Sequence, residues 1–261
     1  MTFSAALFRA ESFFGTAARR LLSFLCERYT CVYCGAPVVS SVVCDSCAAE
    51  KLLVWTPTFS EAGRRLRCRV CGIELLSERD VCMRCRETPL LAHTERVFPV
   101  HTYVLRKKDL LVLWKIRGVR QLSALFAEVV AGVLSTELCD GAVLPIVPVP
   151  PRPGKIRKCG WDQIADLCRF LKLKYGFPIL PLLERRSAEQ QKTLNRSQRL
   201  LNLGKSYAAD ARALRRCKSV PEAVVLLDDI LTTGVTLETC AAVLQSVGVK
   251  RVFACTLFIV D

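Results

Sequence analysis

The sequence predicts an α/β protein, a parallel sheet flanked by helices, preceded by a small metal-ribbon module. Three observations carry that prediction. An unbroken apolar run, Val224 to Leu227, leads through Asp228-Asp229 into a Thr-rich turn and then a helical pattern. Further strand-like runs, Val143 to Val149, Phe177 to Leu183 and Val252 to Ile259, alternate with segments of helix length. Eight cysteines between Cys31 and Cys85 form four C-x-x-C pairs.

Val224 to Leu227 reads as a strand buried on both faces, as in a parallel sheet. Asp228 and Asp229 stand where that strand is expected to end, and the turn Thr232 to Thr236 leads into a helix through Leu237, Ala241, Leu244 and Gln245. Such a turn is an anion cradle by composition. Gly234 lets the backbone approach a phosphate, the hydroxyls of Thr232, Thr233 and Thr236 can donate to it, and the helix start supplies free N–H groups. The two carboxylates would repel a bare phosphate, so they are expected to face sugar hydroxyls or a metal ion. A phosphorylated ribose offers both. The plainer alternative, a buried strand with an ordinary acidic turn, requires the apolar run, the acidic pair and the Thr-rich turn to coincide by chance. The stretch resembles the phosphoribosyl-diphosphate (PRPP) signature of the type I phosphoribosyltransferases.

With 261 residues the chain has room for one medium domain and a smaller module. A hydrophobic content of 51% with 24% charged residues describes a globular protein and excludes a disordered one. The formal net charge of +14 favours polyanions such as nucleic acid or phosphorylated substrates. Eight thiolates holding two divalent ions would lower that charge to about +10, which is still basic.

Residues 1–30 carry Phe3, Leu7, Phe13, Phe14, Leu21, Leu22, Phe24 and Leu25, interrupted by Arg9, Glu11, Arg19 and Arg20. That is an amphipathic helical pattern. It is too broken to span a membrane, which needs about 20 apolar residues, and lacks the basic start and apolar core of a secretory signal. Packing against the body of the protein is the expectation, with a membrane-surface helix as the alternative. A cytoplasmic location follows, where cysteines are thiols or metal ligands.

Their spacing agrees. Cys31-x-x-Cys34 is followed after nine residues by Cys44-x-x-Cys47, and Cys68-x-x-Cys71 after ten by Cys82-x-x-Cys85. Each pair can form a tight knuckle, with Gly35 and Gly72 just after the second cysteine of the leading pairs. Two pairs give the four-sulfur tetrahedron that Zn²⁺ prefers. Sequential pairing, one ion per repeat, is the preferred arrangement; a cross-braced one stays open, and an iron–sulfur cluster is the weaker competitor. His93 and His101 fall outside the pattern. Cys26, Cys139, Cys168, Cys217, Cys240 and Cys255 read as ordinary small core or surface residues.

Between the ribbons and the α/β core lies a basic helical stretch from Tyr103 to Gly118, with Leu110, Leu113 and Trp114 on one face. Arg106, Lys107, Lys115, Arg117 and Arg120 form its positive surface, either simply solvated or touching phosphate or nucleic acid. A second helix is expected over 122–138. After the strand Val143 to Val149, Pro150, Pro151 and Pro153 exclude helix, so a rigid loop should carry Arg152, Lys155, Arg157 and Lys158. A helix over 160–173 follows. The polar segment from Glu184 to Tyr207 reads as a functional loop or lid.

Together these pieces resemble the ComF-type phosphoribosyltransferase-like proteins, a zinc-ribbon region joined to a type I phosphoribosyltransferase domain. The resemblance rests on Tyr103, on Leu-Trp-Lys-Ile-Arg-Gly ending at Gly118, and on Val147-Pro148-Val149-Pro150. It continues through Gly160-Trp161-Asp162-Gln163, through Gln191, Leu194, Arg199, Asn202 and Tyr207, and through the PRPP signature itself. Gly154 and Cys159 depart from arginines common in the family, and Asp162 from its asparagine. The implied organisation is a helical segment over 1–30, a double zinc-ribbon region over 31–90 and a phosphoribosyltransferase-like domain over 91–261, its core from about 140.

The resemblance implies a Mg²⁺-dependent site. Asp228 and Asp229 would hold the ribose hydroxyls and, directly or through water, the metal. Thr232, Thr233, Gly234, Val235 and Thr236 would cradle the 5-phosphate. Arg152, Lys155 and Arg157 would meet the pyrophosphate, with Lys192 or Arg199 arriving from the loop. Cys31, Cys34, Cys44, Cys47, Cys68, Cys71, Cys82 and Cys85 would hold two structural zinc ions. The chain opens Met1-Thr2, without the N-terminal cysteine of amidotransferases, so no glutaminase activity is expected. Two functions follow. One is a pentosyltransferase acting from PRPP on an unknown acceptor, linked to DNA uptake. The other is a non-catalytic zinc adaptor that binds single-stranded DNA or competence-machinery proteins and keeps a vestigial or regulatory PRPP site.

Overall fold

The computed structural model describes residues 29–38, 42–47, 67–87, 89, 91–102, 109–138, 143–186 and 206–260. The expectations for residues 1–28, Tyr103 to Lys107 and Lys192 to Asn202 lie outside that set. Two compact units are present, 1–56 and 57–261. The first unit contains the short antiparallel strands β1 (Tyr29–Thr30) and β2 (Pro37–Val38), which frame its first cysteine pair.

The second unit is built on a four-stranded sheet. Its strands are β3 (Arg96–Thr102), β4 (Ile146–Pro148), β7 (Ala223–Leu231) and β8 (Arg251–Ile259), in the order β3-β8-β7-β4. All three pairings are parallel. This is the parallel α/β sheet flanked by helices that the sequence predicts. Val224 to Leu227 are essentially inaccessible, because the sheet is covered on both faces. Burying each such side chain contributes about 1.5–3 kcal/mol, so this run anchors the centre of the fold.

Side chains alternate along β7 and β8 between two cores. Val224, Leu226, Val252 and Ala254 join Leu237, Cys240, Ala241 and Leu244 of helix α6 (Val235–Ser246). The other side takes helices α2 (Leu122–Glu137) and α4 (Gln163–Tyr175), which pack on each other and on the strands. There Phe126 lies edge-on to Phe258, with ring centroids 6.0 Å apart, and to the fully buried Trp114 at 4.9 Å. Trp114 donates its indole N–H to Ser123 Oγ at 2.8 Å, so burying the ring leaves no orphaned donor.

Several boundaries differ from expectation for local reasons. The acidic pair does not end β7. Ile230 and Leu231 stay in register with Phe258 and Ile259, so the strand runs on past the carboxylates. The prolines after β4 do exclude helix, but only to Pro153. Gly154, at φ +78°, turns the chain into the short helix α3 (Lys155–Cys159), and Gly160, at φ +76°, ends it. Helix α4 starts only at Gln163, because the side chain of Asp162 caps it by accepting from Ala165 N at 2.9 Å. Such a cap stabilises a helix start by about 1 kcal/mol. Within the expected strand Phe177 to Leu183, Ile179 makes a single parallel bridge to Ile146. The chain then enters β5 (Leu183–Arg185), paired antiparallel with β6 (Tyr207–Ala209). A short helix α5 (Ala211–Arg216) follows, capped by Asp210.

The second cysteine ribbon, with helix α1 (Met83–Glu87), belongs to the α/β unit. Cys68, Cys71, Leu75 and Cys82 lie in the same buried cluster as α6. The ribbon also caps the open edge of the sheet, since Val97 N of β3 donates to Val70 O at 3.0 Å. Edge position explains how β3 tolerates Pro99.

Candidate functional site

The carboxyl ends of neighbouring parallel strands place the candidate residues together. Val147 and Pro148 of β4 pair with Leu226 and Leu227 of β7, and Val149 N donates to Leu227 O at 3.0 Å. The proline-rich basic loop after β4 therefore leaves the sheet beside Asp228. Crevices at this edge of an open α/β sheet are where ligands bind in such folds.

Asp229 is the hub. It is buried, and its Oδ2 accepts from Gln163 Nε2 at 2.7 Å and meets Lys115 Nζ at 2.5 Å. Lys155 continues the chain of charge, bonding Asp162 Oδ2 at 2.7 Å and also Gln163 Oε1. Lys115 comes from a π-helical turn, Val112–Ile116, whose Trp114 is locked in the core. Turns of this kind recur at functional sites. The Asp228 carboxyl accepts from the backbone N–H of Asp229 at 2.8 Å. Burial, reinforced by the neighbouring Asp229 charge, pushes Asp228 up from 3.8 to about 7.

Past Leu231 the chain turns sharply. Thr232 and Thr233 are exposed, Gly234 is buried, and Val235 and Thr236 open helix α6 half-buried. Gly234 takes φ +86°, and a Cβ there would sit 3.3 Å from Leu91 Cδ2, so glycine answers both strain and space. The first N–H groups of α6 have no partner within the helix and are open to an anion. Tyr207 of β6 is buried close by, with the Arg185 guanidinium 5.0 Å over its ring, and burial raises its hydroxyl above the ordinary tyrosine value.

The loop residues divide. Arg152 and Arg157 are exposed and border an open depression with Pro151, Pro153, Gly154 and Ile156. Lys155 instead turns to Asp162 and Gln163. Arg199 and Lys192 lie outside the described residues.

The cysteines assemble into two sets, Cys31, Cys34, Cys44 and Cys47, and Cys68, Cys71, Cys82 and Cys85, the sulfurs of each within 4.8 Å of one another. A tetrahedral ion with Zn–S bonds of about 2.3 Å requires sulfurs about 3.8 Å apart. The observed Cys34–Cys44 and Cys71–Cys82 sulfur distances are 3.6 and 3.7 Å. Each set can hold one zinc ion, and the pairing is sequential. The knuckles close through Gly35 N to Cys31 O at 2.9 Å and Gly72 N to Cys68 O at 2.8 Å, each glycine at φ +72°.

No protein-family model matches the chain. Over 214 residues, 81% of its length, it is 27% identical to the Competence protein ComFC of Streptococcus pneumoniae (strain ATCC BAA-255 / R6), covering 85% of that protein. The chain is similar to that ComFC protein over most of both lengths. Its two four-cysteine clusters fit a zinc-ribbon module. The residues that sequence reasoning did not assign to the site are Lys115, Asp162 and Gln163. Each stands in a stretch that carries the resemblance, Leu-Trp-Lys-Ile-Arg-Gly or Gly-Trp-Asp-Gln; Lys115 and Gln163 meet Asp229 directly and Asp162 joins them through Lys155, an arrangement set by tertiary structure alone. His93 is not a ligand of either cluster; its Nδ1 lies 2.6 Å from Glu238 Oε1 in the first turn of α6. Among the described residues no helix is long and apolar enough to cross a membrane.

Proposed function

We propose that this chain binds PRPP with Mg²⁺ and transfers its phosphoribosyl group to an acceptor. The observation that carries the reading is the meeting of two segments at the carboxyl end of the sheet. The acidic pair within β7 and the Thr-rich turn after it stand beside the basic, proline-rich loop after β4. One side suits a ribose 5-phosphate and the other a pyrophosphate, the two ends of one ligand. In this reading Thr232, Thr233, Gly234, Val235 and Thr236 hold the 5-phosphate, Asp228 and Asp229 meet the ribose hydroxyls, and Arg152 and Arg157 receive the pyrophosphate. Lys155 and Arg199 complete the phosphate contacts.

Transfer develops positive charge at C1 of the ribose as pyrophosphate leaves. The protein's part is to position both ends of the ligand and stabilise charge with preorganised groups. Carboxylate oxygens are the hard donors Mg²⁺ prefers, so Asp228 and Asp229 fit the metal, which when bound neutralises charge on the departing pyrophosphate. In the free protein Lys115 and Gln163 hold Asp229 in place, and Lys155 holds Gln163. The proposed organisation keeps a ribbon region over 31–90 and a phosphoribosyltransferase-like domain over 91–261, in a cytoplasmic protein.

The second reading is a binding module that keeps PRPP as a ligand without transferring it. The competence name of the Streptococcus relative supports a link to DNA uptake. Half-buried Trp161, with the exposed Arg120 guanidinium 5.5 Å over its ring, offers one stacking element for single-stranded DNA. Pyrophosphate release separates the two readings. Incubating the zinc-loaded protein with PRPP, Mg²⁺ and a panel of nucleobases and amines should release pyrophosphate with at least one acceptor, and Asp229→Asn should not. Stoichiometric PRPP binding with no release across the panel would instead favour the binding module.

A further inference from the structure

We infer that Arg84, a residue of the second cysteine ribbon, is a positioning residue of the Thr232–Thr236 turn, so that the ribbon is a working part of the phosphate site. The inference rests on the reading of that turn as a phosphate cradle. Arg84 stands between Cys82 and Cys85 on helix α1, so the cysteine knuckle fixes where its backbone lies. Its Nη1 donates to the carbonyl of Thr232 at 3.2 Å, joining residues 148 positions apart. In a trans peptide the C=O and the following N–H point in opposite directions. By holding the Thr232 carbonyl, Arg84 therefore sets the direction of the Thr233 N–H, one of the donors a turn of this kind aims at an anion.

Neighbouring contacts make the connection a seam. Leu91 fills the space over Gly234. His93 N donates to both Glu238 carboxylate oxygens, at 3.0 and 3.1 Å, and Gln245 Nε2 donates to His93 O at 3.2 Å. The segment following the ribbon is thus fastened along helix α6, whose start forms the cradle. Among the described residues no carboxylate pairs with Arg84 (Arg69, on the same ribbon, is neutralised by Asp80 at 2.7 Å). An unneutralised guanidinium beside the turn also raises the local potential for an anion.

The test measures ribose 5-phosphate affinity and the NMR backbone order parameter at the Thr233 amide in the zinc-loaded full chain. It compares the wild type with Arg84→Ala, Arg84→Lys and Arg86→Ala. Arg86 is exposed on the same short helix and serves as the control for lost charge. Arg84→Ala should weaken ribose 5-phosphate binding roughly tenfold and lower the Thr233 order parameter in the free protein, with zinc content unchanged. Arg84→Lys should recover part of both, and Arg86→Ala should match the wild type. A wild-type order parameter at Thr233 in Arg84→Ala would overturn the assignment, as would an equal loss of affinity in Arg86→Ala. A wild type that binds no ribose 5-phosphate would overturn the phosphate reading itself, while the difference in order parameter would still report whether Arg84 holds the turn.

Discussion

Lys115 Nζ lies 2.5 Å from Asp229 Oδ2, joining a π-helical turn to the central strand at the candidate site. Asp229 is buried, whereas the lysine side chain keeps about a third of its surface, so solvent screens part of the attraction. Removing the lysine leaves a buried carboxylate with Gln163 as its remaining side-chain partner among the described residues. Lys115→Met should cost about 1–2 kcal/mol in urea denaturation, below the value for a fully buried pair. In an Asp229→Asn background the same change should cost far less. Equal costs in both backgrounds would show that the pair is not coupled.

Asp228 gives the site a pH dependence. Its carboxyl is raised from 3.8 to about 7. The folded protein therefore holds that proton more tightly than the unfolded chain. The resulting stability is fully present below the unfolded value and is lost as pH rises through about 7. Asp228→Asn should flatten that stretch of the stability–pH curve. Affinity for Mg²⁺ with PRPP should run the opposite way, rising from pH 6 to about pH 8 as the carboxylate forms.

Zinc should be present at two ions per chain, and the two sites should differ in consequence. Cys71 is buried in the core shared with helix α6, whereas Cys34 belongs to the separate unit 1–56. Cys71→Ser should lower the melting temperature of the α/β unit. Cys34→Ser should remove one zinc and leave that melting temperature close to the wild type. Metal analysis paired with calorimetric melting of each variant checks both statements.

Gly72 and Gly176 separate backbone strain from crowding. Both have φ near +70°, but a Cβ on Gly72 would lie 2.2 Å from Pro99 Cδ and 2.7 Å from Val97 O, while one on Gly176 meets nothing within 4 Å. Gly176→Ala should cost about 1–2 kcal/mol, the price of the left-handed backbone alone. Gly72→Ala should cost about 3 kcal/mol or more, because the ribbon must also shift off strand β3. Urea denaturation of the two variants reads the difference.

The central strand and the cysteine sets were legible because each is a local pattern: four consecutive apolar residues, and cysteines at fixed spacing. The end of β7 was not, since Asp228 and Asp229 read as a stop while Ile230 and Leu231 still find partners on β8. Strand β3 escaped notice for a related reason. Pro99 and His101 argue against a strand, and only its edge position, covered by the ribbon, makes it one. The links around Asp229 had no local signal at all. Gln163 reaches it across 66 residues, and Arg84 reaches Thr232 across 148. Composition can mark such residues as polar; the fold alone decides which of them meet.

Calorimetric titration of PRPP into the zinc-loaded protein, with and without Mg²⁺ and alongside Asp229→Asn, tests the central claim most directly. The account predicts saturable binding that requires Mg²⁺ and is abolished by the substitution. Heats indistinguishable from dilution in the folded wild type would contradict it.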